Sequence, residues 1–195
     1  MSNFLSKEEL KISNEFKKKG YVIRKIKDTK SLSKIRKLFV KSIKKNIQKK
    51  IKFKKEEDIL NFIHKKIETN RLNSFRLKII NDINKSKNIR ELYYKISRPV
   101  LDVILGNELA MQLRINLSIQ LPNDDSSLLP IHSDVWSGDS PFESVVWLPL
   151  VNCFKTKSMF ILPPSKYAKI KNLFLKKKSS SSEEIFKKIR KHLTW

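Results

Sequence analysis

His132 and Asp134 stand two residues apart in the stretch Ile131-His132-Ser133-Asp134-Val135-Trp136-Ser137-Gly138-Asp139. On a strand, where side chains alternate, both point to one face. An imidazole and a carboxylate sharing a face are two of the three ligands of a 2-His-1-carboxylate triad. That triad holds Fe(II) and leaves positions open for substrate and oxygen. The His-x-Asp spacing by itself recurs in many proteins, so its weight comes from its surroundings.

Those surroundings read as β-structure. From residue 113 to 121 the pattern alternates without a fault: Leu113, Ile115, Leu117, Ile119 and Leu121 on one side, Arg114, Asn116, Ser118 and Gln120 on the other. This is the signature of a strand with one apolar face. Pro122-Asn123-Asp124-Asp125-Ser126 supplies a turn, and a strand then leads into His132 and Asp134. Ser137-Gly138-Asp139-Ser140-Pro141 is the next turn. Residues 144–151 and 158–162 are further strands, the last stopped by Pro163-Pro164. Strands at this spacing suggest a jelly-roll or related barrel.

The residues before this region carry helical spacing. Ser6 and Glu9 form a capping box for a first helix, which Gly20 ends. Residues 21–26 read as a short strand. Asp28 or Thr29 caps a second helix with Leu32, Ile35, Phe39 and Ile43 on its apolar side. A third helix opens on Glu56-Glu57-Asp58, acids that suit its dipole. A fourth covers about 74–84 and a fifth 89–105, which Pro99 should break or kink. His64, beside Lys65 and Lys66, reads as an ordinary helix histidine. Residues 182–193 look helical within a basic tail.

The chain has 195 residues, enough for one domain with a sizeable core. No internal linker or repeat divides it. We expect a single unit: a helical part over 1–106, a β-rich part over 107–164, and a tail over 165–195. The lone Cys153 excludes an intramolecular disulfide and suits a reducing compartment. Neither a signal peptide nor a membrane span is evident, so a cytoplasmic location is expected.

The net charge of +24 raises the question of nucleic acid. Its distribution argues otherwise. Between Pro99 and Phe154, Arg114 stands against seven acids, for a local charge of −6; the remaining residues therefore carry +30. Of 43 basic residues only eight are Arg, the side chain suited to bidentate phosphate and base recognition. Such Lys-, Ile- and Asn-rich composition points to a biased genome, and no nucleic-acid partner is expected.

Several pieces together resemble one family. They are Asn116-Leu117-Ser118-Ile119-Gln120-Leu121-Pro122, His132-Ser133-Asp134, residues 136–143, Trp147-Leu148-Pro149-Leu150 and Lys157-Ser158-Met159. This set is similar to Fe(II)/2-oxoglutarate-dependent oxygenases of the phytanoyl-CoA-dioxygenase-like group, particularly bacterial members from sporadic surface-carbohydrate clusters. The resemblance is dense over about 106–164 and general before it. It implies an α+β fold, with N-terminal helices packed on a double-stranded β-helix of the jelly-roll or cupin kind. It also implies Fe(II), 2-oxoglutarate as cosubstrate and O₂, and a small-molecule substrate that is a sugar or sugar-linked. His132 and Asp134 match the first two metal ligands. Trp147 matches a tryptophan near the cosubstrate, and Asn116 and Ser118 would line the same pocket. Spacing alone reads Trp147 equally well as a core aromatic.

One departure bears on activity. The family uses a distal His and, beyond it, an Arg that clamps 2-oxoglutarate through paired hydrogen bonds. After Asp134 the chain offers only His192, in a basic helix-like segment with no Arg following it. The expectation is therefore a barrel incomplete at its C-terminal side, with exposed strand edges and a tendency to self-associate. Three functions follow: an oxygenase, an inactive remnant or binding module, and, last, a basic nucleic-acid binder.

Overall fold

The structure is a computed structural model and describes residues 4–47, 55, 58–122 and 132–167. Helix α1 (Lys7–Lys19) begins with the capping box: the Ser6 N–H donates to Glu9 Oε2 at 2.7 Å and the Glu9 N–H to Ser6 Oγ at 3.3 Å. It ends at Gly20, whose φ of 75° closes the last turn. A side chain at Gly20 would be strained by that left-handed backbone, while its Cβ would meet the Pro164 ring only at ordinary contact distance.

Helix α2 (Thr29–Asn46) is capped by Asp28, which accepts from the Ser31 N–H at 2.9 Å. A short helix α3 (Asp58–Phe62) runs into a 3₁₀ turn, Ile63–Lys65. His64 sits in that turn, half-buried, its ring beside Phe62. Helix α4 (Thr69–Asn84) starts earlier than its sequence suggested, because Leu72 extends the stripe Phe75, Ile79, Ile83 by one turn. Helix α5 (Ile89–Ile104) is not broken at Pro99 and continues past it. Pro99 is exposed and removes one N–H from the ladder, while α5's apolar stripe stays buried against α1 and α2.

Helix α2 packs on α4 and α5, and α5 on α1. Ile35, Phe39 and Ile43 of α2 meet Ile79 and Ile83 of α4 and Ile89 and Leu92 of α5 in one core, joined by Ile59, Ile63 and Ile115. Ile35 and Ile79 have no exposed surface at all. A polar clasp locks α2 to α4. The Asp82 carboxylate accepts from Asn46 Nδ2 at 2.8 Å, Lys45 Nζ at 3.1 Å and Ser42 Oγ at 3.2 Å. These contacts, Asn46 first, hold its pKa below the ordinary 3.8. A depressed carboxylate stabilises the fold above its unfolded pKa and loses that contribution as pH falls through the folded value. The Asp82→Asn variant should therefore melt lower than the wild type at pH 7 and show a smaller loss of Tm between pH 5 and about pH 2. Equal pH slopes for the two proteins would refute this role.

The β-rich half is where structure corrects the sequence. Among the described residues there is no β-strand, so an α+β fold built on a double-stranded β-helix is overturned; these residues form a helical bundle with extended segments laid upon it. Residues 21–26, 113–121, 144–151 and 158–162 form neither strand nor helix, and the chain bends at Leu113-Arg114, Leu150-Val151 and Ser158. Among the described residues, no backbone–backbone hydrogen bond involves 107–122 or 144–153.

Side chains of the helices hold these segments instead. Asn84, the last residue of α4, grips Ile115 as a neighbouring strand would: its Nδ2 donates to the Ile115 carbonyl at 2.9 Å and its Oδ1 accepts the Ile115 N–H at 2.8 Å. Arg90 of α5 donates to the carbonyls of Met111 and Gln112. Tyr93 donates its hydroxyl to the Val146 carbonyl at 2.6 Å. Such contacts satisfy backbone groups one at a time and leave no edge-to-edge pairing. The turn and strand expected over 123–131 and the helix over 182–193 lie outside the described residues.

Candidate metal centre

The His-x-Asp pair is placed by a turn. Ser133 is extended at φ −124°, ψ 137°, and Asp134–Ser137 then forms a single 3₁₀ turn. Gly138 closes it at φ 97°, where its N–H reaches the Val135 carbonyl. The Asp139 N–H returns to the Asp134 carbonyl. Gly138 permits this because a left-handed residue carries no steric cost without a Cβ. The next turn follows at once, with the Phe142 N–H on Ser140 Oγ and the Glu143 N–H on the Ser140 carbonyl.

Although neither residue lies on a strand, their side chains converge. His132 Nε2 and Asp134 Oδ1 are 3.6 Å apart, with side chains 39% and 44% exposed. That separation is too long for a good hydrogen bond. Two donors on one ion with bonds of about 2.0–2.2 Å stand about 3 Å apart at right angles and up to about 3.6 Å at tetrahedral angles, so the observed spacing lies at the wide end of that range. A neutral imidazole nitrogen and a carboxylate are borderline and hard donors respectively, a set that first-row divalent metals accept. The pair therefore fits as part of a metal site. Among the described residues, no group of three His, Cys, Asp or Glu side chains gathers to complete one. His192 lies outside the described residues.

The other candidates are placed separately. Asn116 and Ser118 lie on the outward, exposed side of residues 113–121, opposite the buried Ile115. Trp147 is exposed on the outward side of 144–151, whose inward residues Leu148 and Leu150 pack on the helical core. This placement overrules a core role for Trp147.

Sequence reasoning missed the residues that position these segments. Tyr93 brackets Trp147, bonding the carbonyl before it, and burial pushes the phenol up to about 12 against the opposing pull of the Leu148 N–H. Asn84 and Arg90 do the same for 111–115. A signal was present: Asn84 follows Ile80 by four residues and Tyr93 follows Ile89 by four, so both stand in register with apolar stripes. A polar group in such a stripe needs a partner.

Comparison with family models, with curated proteins and with solved structures finds no match to this chain. No helix among the described residues is long and apolar enough to cross a membrane.

Proposed function

We propose that this chain carries the His-x-Asp part of an Fe(II)/2-oxoglutarate-dependent oxygenase centre directed at a sugar or sugar-linked small molecule. The observation that supports it is the approach of His132 Nε2 to Asp134 Oδ1, 3.6 Å apart on an exposed turn. The reading also rests on the resemblance of residues 116–159 to that family. His132 and Asp134 would hold the iron, which when bound would supply the oxygen chemistry with 2-oxoglutarate as the electron source. His132 contributes a neutral nitrogen lone pair. Asp134 contributes a charge that offsets part of the metal's own.

A second reading is a non-catalytic remnant or binding module. The open exposure of both ligand side chains favours it, since a working centre is normally enclosed and dry. The same measurements separate the two. Calorimetric titration with Fe(II) without oxygen should show weak binding, reduced at least about tenfold by His132→Ala and by Asp134→Ala. His192→Ala should leave it unchanged. With Fe(II), ascorbate and air, succinate release from 2-oxoglutarate by the 195-residue chain should be undetectable, since the expected carboxylate-clamping Arg is missing. Unaltered Fe(II) binding in both ligand variants would remove the metal centre altogether. Iron-dependent succinate release lost in Asp134→Ala would make the chain an active oxygenase.

A further inference from the structure

Helix α2 carries its charge differently from its neighbours. Helix α1 pairs Lys19 with Glu15, and α5 pairs Lys95 with Glu91 and Arg98 with Asp102, each at i,i+4. These are the balanced faces of ordinary solvated helices. Helix α2 contains no acid. Its exposed side is a row of lysines: Lys30, Lys34, Lys37 and Lys41, prolonged by Lys44 and Lys45. The steps of three and four residues keep the row on one face. From Lys30 to Lys44 it extends about 21 Å at 1.5 Å per residue.

Every step in that row is a like-charge pair at helical contact distance, an arrangement that disfavours the helix. Lysine is as dense in α1, but α1 sets three glutamates among its five lysines and α5 sets two acids among its three basic residues, whereas α2 has six lysines and an arginine with no acid between them. Lys45 is held by Asp82. Lys30, Lys34, Lys37 and Lys41 form no ion pair with a carboxylate among the described residues. Two acids border the row: Asp28, the N-cap, whose carboxylate accepts from the Ser31 N–H at 2.9 Å and from the Lys30 backbone, and Glu91 of α5, which Lys34 influences but which is paired with Lys95 at 2.6 Å.

We infer that this α2 face docks the protein on an anionic phospholipid surface. The opposite side of α2 is buried in the core, so the helix itself does not insert, and attachment is electrostatic and reversible. Three features favour a headgroup plane over nucleic acid. The row has no aromatic side chain on which a base could stack. It has no arginine for bidentate readout; Arg36, the one arginine of α2, is half-buried off the row. Third, mobile lipid phosphates can gather beneath a fixed line of flexible ammonium groups, a match that needs no defined groove geometry. The inference is independent of the proposed metal centre.

The test uses the full chain and sedimentation with phosphatidylserine–phosphatidylcholine vesicles. The wild type should pellet with them, remain soluble with pure phosphatidylcholine, and be released in about 1 M salt, where the screening length falls to about 3 Å. Each lysine is worth about fivefold in partitioning, so the quadruple variant Lys30→Gln, Lys34→Gln, Lys37→Gln, Lys41→Gln should bind several hundredfold more weakly, on the order of 10²–10³. That variant relieves repulsion within α2 and should melt no lower than the wild type, so loss of binding cannot be laid to misfolding. A charge-matched control, Lys17→Gln, Lys18→Gln, Lys25→Gln, Lys78→Gln, removes four exposed lysines elsewhere and should retain most of the affinity. Equal weakening in both variants would mean that net charge alone acts and would overturn the proposal. So would unchanged binding by the α2 variant. Duplex DNA that displaces the vesicles and itself depends on the four α2 lysines would assign the face to nucleic acid instead.

Discussion

Replacing Asn84 by Leu should destabilise the protein by about 2–4 kcal/mol and loosen residues 111–121 from the helices. The amide of Asn84 satisfies both backbone groups of Ile115 and also donates to the Ile80 carbonyl at 2.7 Å. Ile115 is 5% exposed, so water cannot replace those partners without movement of the segment. Each backbone group left unpaired at a buried position costs about 1–3 kcal/mol. The added apolar surface of Leu offsets part of that. The chain can escape the remainder only by lifting 113–117 away, which uncovers Ile115 and Leu117. The denaturant slope should fall as well, because part of the surface exposed on unfolding would already be exposed in the native state. Asn81→Ala, one turn earlier, removes only an exposed contact with Arg114 and should change stability by less than about 0.5 kcal/mol. An effect of Asn84→Leu no larger than that of Asn81→Ala would show that Asn84 does not hold the segment.

This pair of asparagines illustrates what the sequence makes legible. Local signals were readable: the Ser6–Glu9 box, the Asp28 cap, the Gly20 stop and the stripes that became the core. Each depends on residues within a few positions of one another. The faces of 113–121 were readable too. Ile115, Leu117, Ile119 and Leu121 lie inward and Asn116, Ser118 and Gln120 outward, although Leu113 departs from the pattern and is 81% exposed. Period-two spacing reports that a segment is extended with one side buried. It does not report what buries that side or what accepts its hydrogen bonds. Here a helix surface does the first and asparagine, arginine and tyrosine side chains do the second, so alternation was present and a sheet was not.

The metal-centre candidates divide along the same line. His132 and Asp134 are neighbours in sequence, and they come together without the strand that was expected to align them, because an extended Ser133 and a 3₁₀ turn also bring them close. Asn116, Ser118 and Trp147 were to be gathered by a barrel. Without strand pairing among the described residues, each lies on the outward side of its own segment. Long-range convergence of this kind is a property of topology, and one sequence read by periodicity does not specify topology.

Hydrogen exchange should display the same division, with the largest contrast in the molecule. Amides of α2 and α4 that face Ile35, Ile79 and Ile83 are bonded within helices and buried in the common core. They exchange only when the bundle opens and should be slowed by about 10⁴-fold or more relative to an unstructured chain. Amides of 144–153 have no backbone acceptor among the described residues, and the outward side of that segment exposes Val145 and Trp147. They should exchange within about tenfold of the unstructured rate. Leu148 should exchange more slowly than the amides around it, since its N–H faces the Tyr93 phenol. Ile115 should stand as an island of protection in a fast-exchanging stretch, because its N–H is the one Asn84 accepts. In Asn84→Leu that island should disappear while the α2 core amides keep protection over unfolding, reduced only by the global loss of stability. A paired sheet would give alternating protection along 113–121 and 144–151, every second amide slowed together. Such alternation would restore the β-helical architecture; uniform fast exchange with Ile115 as the exception in 113–121 would establish that helix side chains hold these extended segments in place of a ladder.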